Sequence, residues 1–180
     1  MQLQQKNLIL VGHKGAGKTY FGKMLSEECG IPLIDTDALI EKRFQGLSCR
    51  EISLKIGEDN FRLIEQEVIE SLECVNTIIS VGGGALLKEG NCTKLRKLGK
   101  LLYLEADQEI VRKRMFNTGI PSFLDPLNLE ASFEKMYEER KSIYEKWSHF
   151  KIQITNKPQE EILRELQNHL QLNDFVRREE

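Results

Sequence analysis

A glycine-rich segment near the start of the chain carries the residue types that hold the phosphates of a nucleotide. Residues 12–19 are Gly-His-Lys-Gly-Ala-Gly-Lys-Thr, which matches the pattern GxxxxGK[ST] in full. Glycines let successive backbone N–H groups turn toward one phosphate, and the N-terminus of a following helix adds partial positive charge there. We expect Lys18 to reach the β- and γ-phosphates and the Thr19 hydroxyl to ligate Mg²⁺. The motif predicts an ATP site formed by Gly15, Ala16, Gly17, Lys18, Thr19 and Tyr20.

Two carboxylates follow a short apolar run later in the chain. Asp35 and Asp37 come directly after Leu33 and Ile34. Carboxylates two residues apart in an extended segment point the same way, and at the carboxyl end of a parallel strand they face the ligand crevice. One is expected to hold Mg²⁺, while the other accepts the proton of an acceptor hydroxyl. Asp37 is equally well placed to be the N-cap of a helix over 38–44, and the two roles are compatible.

Two arginines lie at positions where their positive charge requires an anionic partner. Arg140 shares a predicted helical face with aromatic side chains. A charge in an apolar stripe requires either a carboxylate inside the protein or an anionic ligand. Arg62 poses the same question, because Glu65 at i+3 is placed to pair with it and to aim the guanidinium. Since the guanidinium fork suits a planar carboxylate, both arginines are candidates to bind an acidic acceptor.

Three consecutive glycines, Gly82, Gly83 and Gly84, end another apolar run. At the carboxyl end of a strand they would let a ligand approach bare backbone, although a tight turn or a helix start would also need them. Together with the triphosphate motif, the carboxylates and the arginines, they predict a kinase for a small acidic metabolite. The residue pattern itself goes no further.

Short apolar runs alternate with helical patterns and must position these residues. The runs that predict strands are 7–11, 33–34, 77–81, 101–104 and 150–154, of which the last alternates as an edge strand does. Apolar residues at three- and four-residue steps predict helices over 61–72, 133–147 and 162–170. This alternation predicts an α/β fold with a parallel sheet that helices cover on both faces.

One segment breaks the pattern. Residues 115–128 contain Gly119, Pro121 and Pro126 and show no clear period, which favours a lid over the site, although an ordinary surface loop would look the same. We expect residues 1–172 to form one domain and 173–180 to be a solvated tail.

Composition and charge exclude several classes of function. The 180 residues carry 26 Lys and Arg against 28 Asp and Glu, so the net charge of −2 gives no global attraction to nucleic acid or to an anionic membrane. No apolar run approaches the ~20 residues of a membrane span, and the first residues do not form a secretory signal. None of the four cysteines forms a CxxC pair. These features predict a cytoplasmic protein, with a monomer as the default.

In motif content and order, the chain resembles the shikimate kinases from Leu8 to about Leu170. The resemblance rests on GHKGAGKT at 12–19, DTD at 35–37, FRLIE at 61–65, GGG at 82–84, ERKSIY at 139–144 and ITNKP at 154–158. It implies a three-layer P-loop kinase fold with a central five-stranded parallel sheet and a lid loop. It also implies that the γ-phosphoryl of ATP is transferred to the 3-hydroxyl of shikimate, in the pathway to aromatic amino acids.

The resemblance further implies a role for particular residues. Asp37, Arg62, Gly83 and Arg140 would contact shikimate, and Asp35 would support Mg²⁺ with Thr19. Arg114, together with the segment near Pro158, would line the adenine side. In one respect the chain departs from the family, whose lid carries an arginine, since no arginine lies between Arg114 and Arg140. Lys113 and Arg114 are the candidates to replace it. A kinase for another small carboxylate, or a binding protein with weakened catalysis, remains the alternative.

Overall fold

Five parallel strands form the centre of the protein, for which a computed structural model describes residues 7–172. The strands are β1 (Leu8–Val11), β2 (Leu33–Asp35), β3 (Ile78–Ser80), β4 (Lys100–Glu105) and β5 (Phe150–Gln153). They are arranged in the order β2-β3-β1-β4-β5. In the register of the central strand, Leu8 lies opposite Ile78 on one side and Lys100 on the other. The predicted α/β class with a five-stranded parallel sheet is confirmed, as is the edge position of β5.

Helices cover both faces of this sheet because the buried strands are apolar on both sides. In β1, Leu8 and Leu10 pack into one apolar cluster, whereas Ile9 and Val11 pack into a second cluster on the opposite face. Fully buried parallel strands of this kind are expected to be apolar throughout. The helices are α1 (Lys18–Cys29), α2 (Thr36–Arg43), α3 (Cys49–Ile56), α4 (Glu58–Glu70), α5 (Glu89–Leu98), α6 (Gln108–Asn117), α7 (Leu129–Trp147) and α8 (Gln159–Leu172). The three predicted helical stripes lie in α4, α7 and α8.

A third, smaller apolar cluster holds α2, α3 and α4 together beside the sheet. Ile40, Ile52, Phe61 and Val68 are its buried members. Because these three helices pack mainly on one another, they form a separate wall next to the carboxyl ends of the strands. This wall carries Asp37 and Arg62, while the P-loop follows β1 and the three glycines follow β3. The parallel arrangement therefore brings all the predicted site segments to one edge of the sheet.

Two sequence predictions on element boundaries are wrong. The helix predicted over 38–44 begins at Thr36, so its N-cap is Asp35 rather than Asp37: the Asp35 carboxylate accepts the backbone N–H groups of Asp37 at 3.0 Å and Ala38 at 3.2 Å. The predicted lid also begins too early. Residues 115–117 complete α6, because Met115 is fully buried in the core, and the connecting loop is therefore 118–128. The predicted tail at 173–180 lies outside the described residues.

Asn7 fastens the amino end of β1 to two neighbouring segments. Its side-chain amide donates to the carbonyls of Cys74 at 2.7 Å and Leu98 at 2.9 Å, and its side-chain oxygen accepts the N–H of Thr77 at 2.9 Å. The residue is only 1% exposed. These bonds fix the central strand relative to the start of β3 and the end of α5.

We therefore expect Asn7→Ala to lower the free energy of unfolding by about 3 kcal/mol, since three backbone groups in a largely buried setting lose their partner. Urea denaturation followed by circular dichroism measures this loss. Asn60→Ala is the matched control, because the exposed Asn60 amide makes one hydrogen bond, to the carbonyl of Ile56. The control should change stability by less than about 0.5 kcal/mol. Equal losses in both variants would contradict the role of Asn7.

Candidate active site

A cavity of about 780 Å³ opens at the carboxyl edge of the sheet, beside the P-loop. Its size lies within the range of small-molecule and cofactor sites. The sequence-predicted ATP residues Gly15, Gly17, Lys18, Thr19, Tyr20 and Arg114 all line it. Ala16 does not: its side chain is buried in the core, and its N–H donates to the carbonyl of His13 at 3.0 Å. The lining also includes Ile154, Lys157 and Gln159, from the segment near Pro158 that the resemblance placed at the adenine side.

The P-loop is held in the curled form that its glycines permit. Gly15 and Gly17 have φ values of 88° and 84°, in the left-handed region that strongly favours glycine. Lys18, the first residue of α1, folds its ammonium back onto the carbonyls of Gly12 at 2.8 Å and His13 at 3.0 Å. Burial lowers the pKa of Lys18 to about 8, with the charges of Asp37 and Asp35 opposing the shift. A phosphate placed in the loop would supply the anion that this buried ammonium lacks.

His13 anchors the P-loop to the helix that carries Arg140. Its ring stacks on Tyr137 at a centroid distance of 4.3 Å and meets Tyr144 edge-on at 4.9 Å. One ring nitrogen, Nε2, lies 3.0 Å from the carbonyl oxygen of Tyr137. Burial lowers the pKa of His13 to about 3, so the ring stays neutral at physiological pH. His13 is therefore a structural residue of the loop.

A set of oxygen atoms at the N-terminus of α1 suits Mg²⁺. The Thr19 hydroxyl donates to Asp35 Oδ2 at 2.6 Å and lies 3.5 Å from Ser80 Oγ. Mg²⁺ prefers oxygen ligands and is held by one or two carboxylates together with substrate phosphates. Within residues 7–172, no group of three or more His, Cys, Asp and Glu side chains forms a metal cage. A hydroxyl and one carboxylate beside a phosphate cavity therefore fit a nucleotide-bound Mg²⁺.

A second, smaller cavity of about 100 Å³ lies between the helical wall and the loop 118–128. The four residues predicted to bind the acceptor, Asp37, Arg62, Gly83 and Arg140, all line it. The loop contributes Pro121, Ser122 and Phe123. The hydroxyl of Ser122 lies 3.1 Å from that of Ser53 on α3, so the loop rests on the wall. The structure thus brings the predicted acceptor residues together beneath the predicted lid.

Arg62 is held by two carboxylates of its own helix. Nη1 donates to Glu65 at 2.7 Å, as the i+3 spacing predicted, and Nε donates to Glu58 at 2.8 Å. Glu58 also pairs with Nη2, a contact that the sequence analysis missed. Since a guanidinium has five N–H donors, the two carboxylates leave two of them for a ligand. The ion pairs therefore aim Arg62 without using all of its donors.

Arg140 has a different environment. It is 6% exposed, and its guanidinium carbon lies 4.4 Å from the centre of the Phe123 ring. Within the described part of the chain, no carboxylate lies close enough to form an ion pair with it. Burial lowers the pKa of Arg140 from its usual value, with Tyr144 opposing the shift. A buried guanidinium that faces a cavity without a counterion is the feature expected of a binding site for an anion.

Charged side chains lie against the backbone of two of the three glycines, Gly82 and Gly84, and leave no room for a Cβ there. A Cβ at Gly82 would lie 2.6 Å from Glu65 Oε1 and 2.7 Å from Asp37 Oδ1. A Cβ at Gly84 would overlap the guanidinium of Arg62. The same glycines lead into a short 3-10 turn at Ala85–Leu87, as the turn alternative for this motif predicted, and the approach of a ligand to their backbone stays a prediction. The Tyr144 hydroxyl donates to the carbonyl of Gly83 and fixes its position.

The two cavities adjoin at three shared residues, Lys14, Asp37 and Gly83. Asp37 lies in the first turn of α2, and not in an extended segment as predicted, yet it still lines both cavities. Burial raises the pKa of Asp37 to about 6, and the charge of Asp35 adds to this rise. A carboxylate whose pKa is close to physiological pH is suited to accept a proton. Lys14 falls on a position that the pattern GxxxxGK[ST] leaves open, so the motif gives no reason to single it out.

The comparisons with known proteins agree with this arrangement. The family model described as shikimate kinase matches residues 14–171. The chain is 34% identical over 161 residues to a shikimate kinase of Bacillus cereus (strain G9842), which covers 89% of this chain and 96% of that relative.

Two solved structures are also similar over nearly their whole length. One is a shikimate kinase from Acinetobacter baumannii in complex with shikimate, with a TM-score of 0.84, 27% identity and coverage of 96% of both chains. The other is a shikimate kinase from Aquifex aeolicus, with a TM-score of 0.77, 32% identity and coverage of 93% of this chain and 97% of that one. Sequence and structure therefore agree that the chain belongs to the shikimate kinase family.

Proposed function

We propose that this protein transfers the γ-phosphoryl of ATP to the 3-hydroxyl of shikimate and releases shikimate 3-phosphate and ADP. The observation that carries the proposal is the junction of the two cavities at Asp37. A triphosphate in the larger cavity and a hydroxyl in the smaller one would meet there. The named relatives support the choice of shikimate as the acceptor, and the two guanidinium groups support an acceptor with a carboxylate.

The reaction needs few groups, each with a defined task. The acceptor hydroxyl gives its proton to the Asp37 carboxylate, and its oxygen forms a bond to the γ-phosphorus. The bond from that phosphorus to the β–γ bridging oxygen breaks, and ADP leaves with the electron pair. Lys18 and the backbone N–H groups of the P-loop hold the β- and γ-phosphates in line. Arg62 and Arg140 hold the carboxylate of the acceptor and so fix its hydroxyl.

Thr19 and Asp35 would hold Mg²⁺ at the nucleotide. When bound, the ion neutralises charge on the phosphates and lets an anionic donor approach an anionic acceptor. Gly15, Gly17, Tyr20 and Arg114 would line the rest of the nucleotide site, and the carbonyl of Gly15 already accepts from Arg114 at 2.8 Å. Ala16 would contribute by packing that supports the loop.

We also propose that residues 1–172 act as one kinase domain in the cytoplasm, as a monomer, with 118–128 as the moving lid. Cys49, Cys74 and Cys92 carry thiols that form no disulfide, which is typical of a reducing compartment. None of the helices within residues 7–172 is long and apolar enough to cross a membrane. A loop of eleven residues that rests on the acceptor cavity suits a lid that excludes water during transfer.

Lys18→Met should reduce shikimate-dependent ADP release by at least about 10³-fold, because the phosphates lose a positioned charge in a site shielded from water. A coupled assay for ADP measures this loss. The matched control is Lys23→Met, which removes the same charge from the exposed surface of α1 and should leave turnover within about twofold. Full activity in the Lys18 variant would exclude the proposed phosphate site. Absence of any shikimate-dependent turnover in the folded natural protein would exclude the proposed function itself.

Arg140→Lys should raise the KM for shikimate by about 10-fold or more while it changes the KM for ATP little. The substitution keeps the charge but removes the fork that holds a carboxylate at two points. Initial rates at varied shikimate and fixed ATP give the two constants. Arg112→Lys serves as the control, since Arg112 pairs with Glu130 on the surface at 2.7 Å and lines neither cavity. Similar shikimate KM values in both variants would mean that Arg140 has only a structural role.

The pH dependence of kcat/KM should have two limbs. Asp37 accepts a proton only when ionised, and because its pKa is raised to about 6, activity should fall about tenfold per pH unit below that pH. In the ligand-free protein the pKa of Lys18 is lowered to about 8, so kcat/KM for ATP should fall above that pH as the ammonium is lost. Saturating ATP should suppress the alkaline limb in kcat, because bound phosphate stabilises the ammonium.

The assignment of the acidic limb can be tested with Asp37→Asn. This variant should lose at least about 10²-fold in kcat, and the residual activity should no longer fall between pH 7 and pH 5. An unchanged acidic limb in the residual activity would assign it to another group.

A further inference from the structure

Transfer of a phosphoryl group requires a cationic group close to the negatively charged oxygens of the transferring phosphoryl. This group is needed in addition to those that hold the nucleotide. In many phosphoryl-transfer sites a mobile cation supplies it from outside the P-loop. Here the loop 118–128, which covers the acceptor cavity, contains neither lysine nor arginine. The loop therefore brings no cation to the site when it closes. A residue elsewhere in the chain must carry that charge.

Several basic residues near the two cavities are unsuited to this task. Arg62 is bound by Glu58 and Glu65, and Arg140 lies beneath the Phe123 ring at the acceptor side. Arg114 lines the nucleotide cavity but not the acceptor cavity, and Lys113 lines neither. The candidates that the sequence analysis named for this task thus do not face the point where the cavities join.

Arg50 on α3 is a closer alternative. It lines the acceptor cavity, and its guanidinium packs against the backbone of the loop, where a Cβ at Gly119 would lie 2.7 Å from Nη1. It does not line the nucleotide cavity, however. Its charge is therefore placed to act on the acceptor or on the loop, rather than on a phosphoryl group that passes from one cavity to the other.

Lys14 is the basic residue that lines both cavities. Its side chain is exposed, and among residues 7–172 no hydrogen bond or ion pair engages its ammonium. The Lys14 backbone is well fixed, because the preceding His13 is buried between two tyrosines. It also packs closely on Gly83, where a Cβ would lie 3.0 Å from the backbone nitrogen of Lys14. Burial is the main cause that lowers the pKa of Lys18, and the charge of Lys14 adds to that lowering.

We propose that Lys14 is a catalytic residue whose ammonium contacts the transferring phosphoryl group at the junction of the two cavities. This inference rests on the proposed function and adds to it the source of the charge that the loop lacks. As the bond to the acceptor oxygen forms and the bond to ADP breaks, negative charge on the phosphoryl oxygens is shared between donor and acceptor. Lys14 stabilises that charge, while the hydroxyl proton passes to Asp37 and the electron pair leaves with ADP.

Steady-state kinetics of Lys14→Met, with ATP and shikimate varied in turn, tests the proposal. Methionine keeps an unbranched side chain of similar length and removes only the charge. We expect kcat to fall by about 10²-fold with both KM values within about threefold, because the contact forms only in the transition state. Lys14→Arg should restore kcat to within about tenfold of the natural protein. Lys113→Met, which removes the same charge from α6, should change nothing.

A binding measurement separates a catalytic role from a structural one. Isothermal titration with ADP and shikimate should give unchanged affinities in Lys14→Met, whereas the complex with ADP, aluminium fluoride and shikimate, which mimics the phosphoryl in flight, should weaken by about the same factor as kcat. A kcat within twofold of the natural protein would overturn the proposal. So would a defect confined to the KM for shikimate, or a loss of kcat in Arg50→Met that Lys14→Met lacks. Absence of turnover with shikimate in the natural protein would instead exclude the proposed function. The result that excludes the function therefore differs from those that exclude the role of Lys14.

Discussion

A phosphoryl donor and an acceptor that both carry negative charge repel each other, and this repulsion is the constraint that the rest of the structure answers. The whole chain cannot help, because its net charge is −2. Positive charge must therefore be concentrated locally, at the carboxyl edge of the sheet where β1, β2 and β3 end together. In the proposed function, Lys18 and the P-loop amides would meet the donor, and Arg62 and Arg140 would meet the acceptor. Because the strands are parallel, groups far apart in sequence reach this edge without long loops.

Cationic side chains concentrated in one place would destabilise the fold if they had no partners. The two arginines of the acceptor cavity have different partners. Arg62 lies between two carboxylates of its own helix, which offset its burial and fix its direction, but these carboxylates also reduce its attraction for an anion. Arg140 is buried with no carboxylate partner among the described residues and faces the aromatic ring of Phe123. A cation–π contact is worth only about 0.5–2 kcal/mol, which is less than the desolvation of a charge. Arg140 therefore gains more from an acidic ligand than Arg62 does, and Arg62 acts more as an oriented donor of hydrogen bonds.

Much of this arrangement could be predicted from the sequence, because local patterns determine it. The P-loop, the five strand positions and the Arg62–Glu65 pair follow from spacing alone. The N-cap could not be assigned correctly, since Asp35 and Asp37 are both good caps and the choice depends on where β2 ends. The contact between Phe123 and Arg140 joins a loop without any period to a helix, so no local pattern predicts it. Lys14 occupies a position that the motif leaves variable, and its importance appears only once two cavities are seen to share it.

The loop 118–128 contributes apolar side chains to the acceptor cavity and no positive charge. Its tip supplies an aromatic ring and a proline to the acceptor cavity, and Leu124 packs into the core. An apolar loop of this kind can exclude water and strengthen electrostatic interactions beneath it, because fewer water molecules screen them. The same loop cannot neutralise the phosphoryl, since it has no basic residue. In the proposed function, closure and charge neutralisation would therefore belong to different segments. The loop would exclude water, and the P-loop, which α7 holds in place through His13, would supply the charge. A cation on a fixed loop needs no reorientation when the lid closes, and this preorganisation favours the transition state.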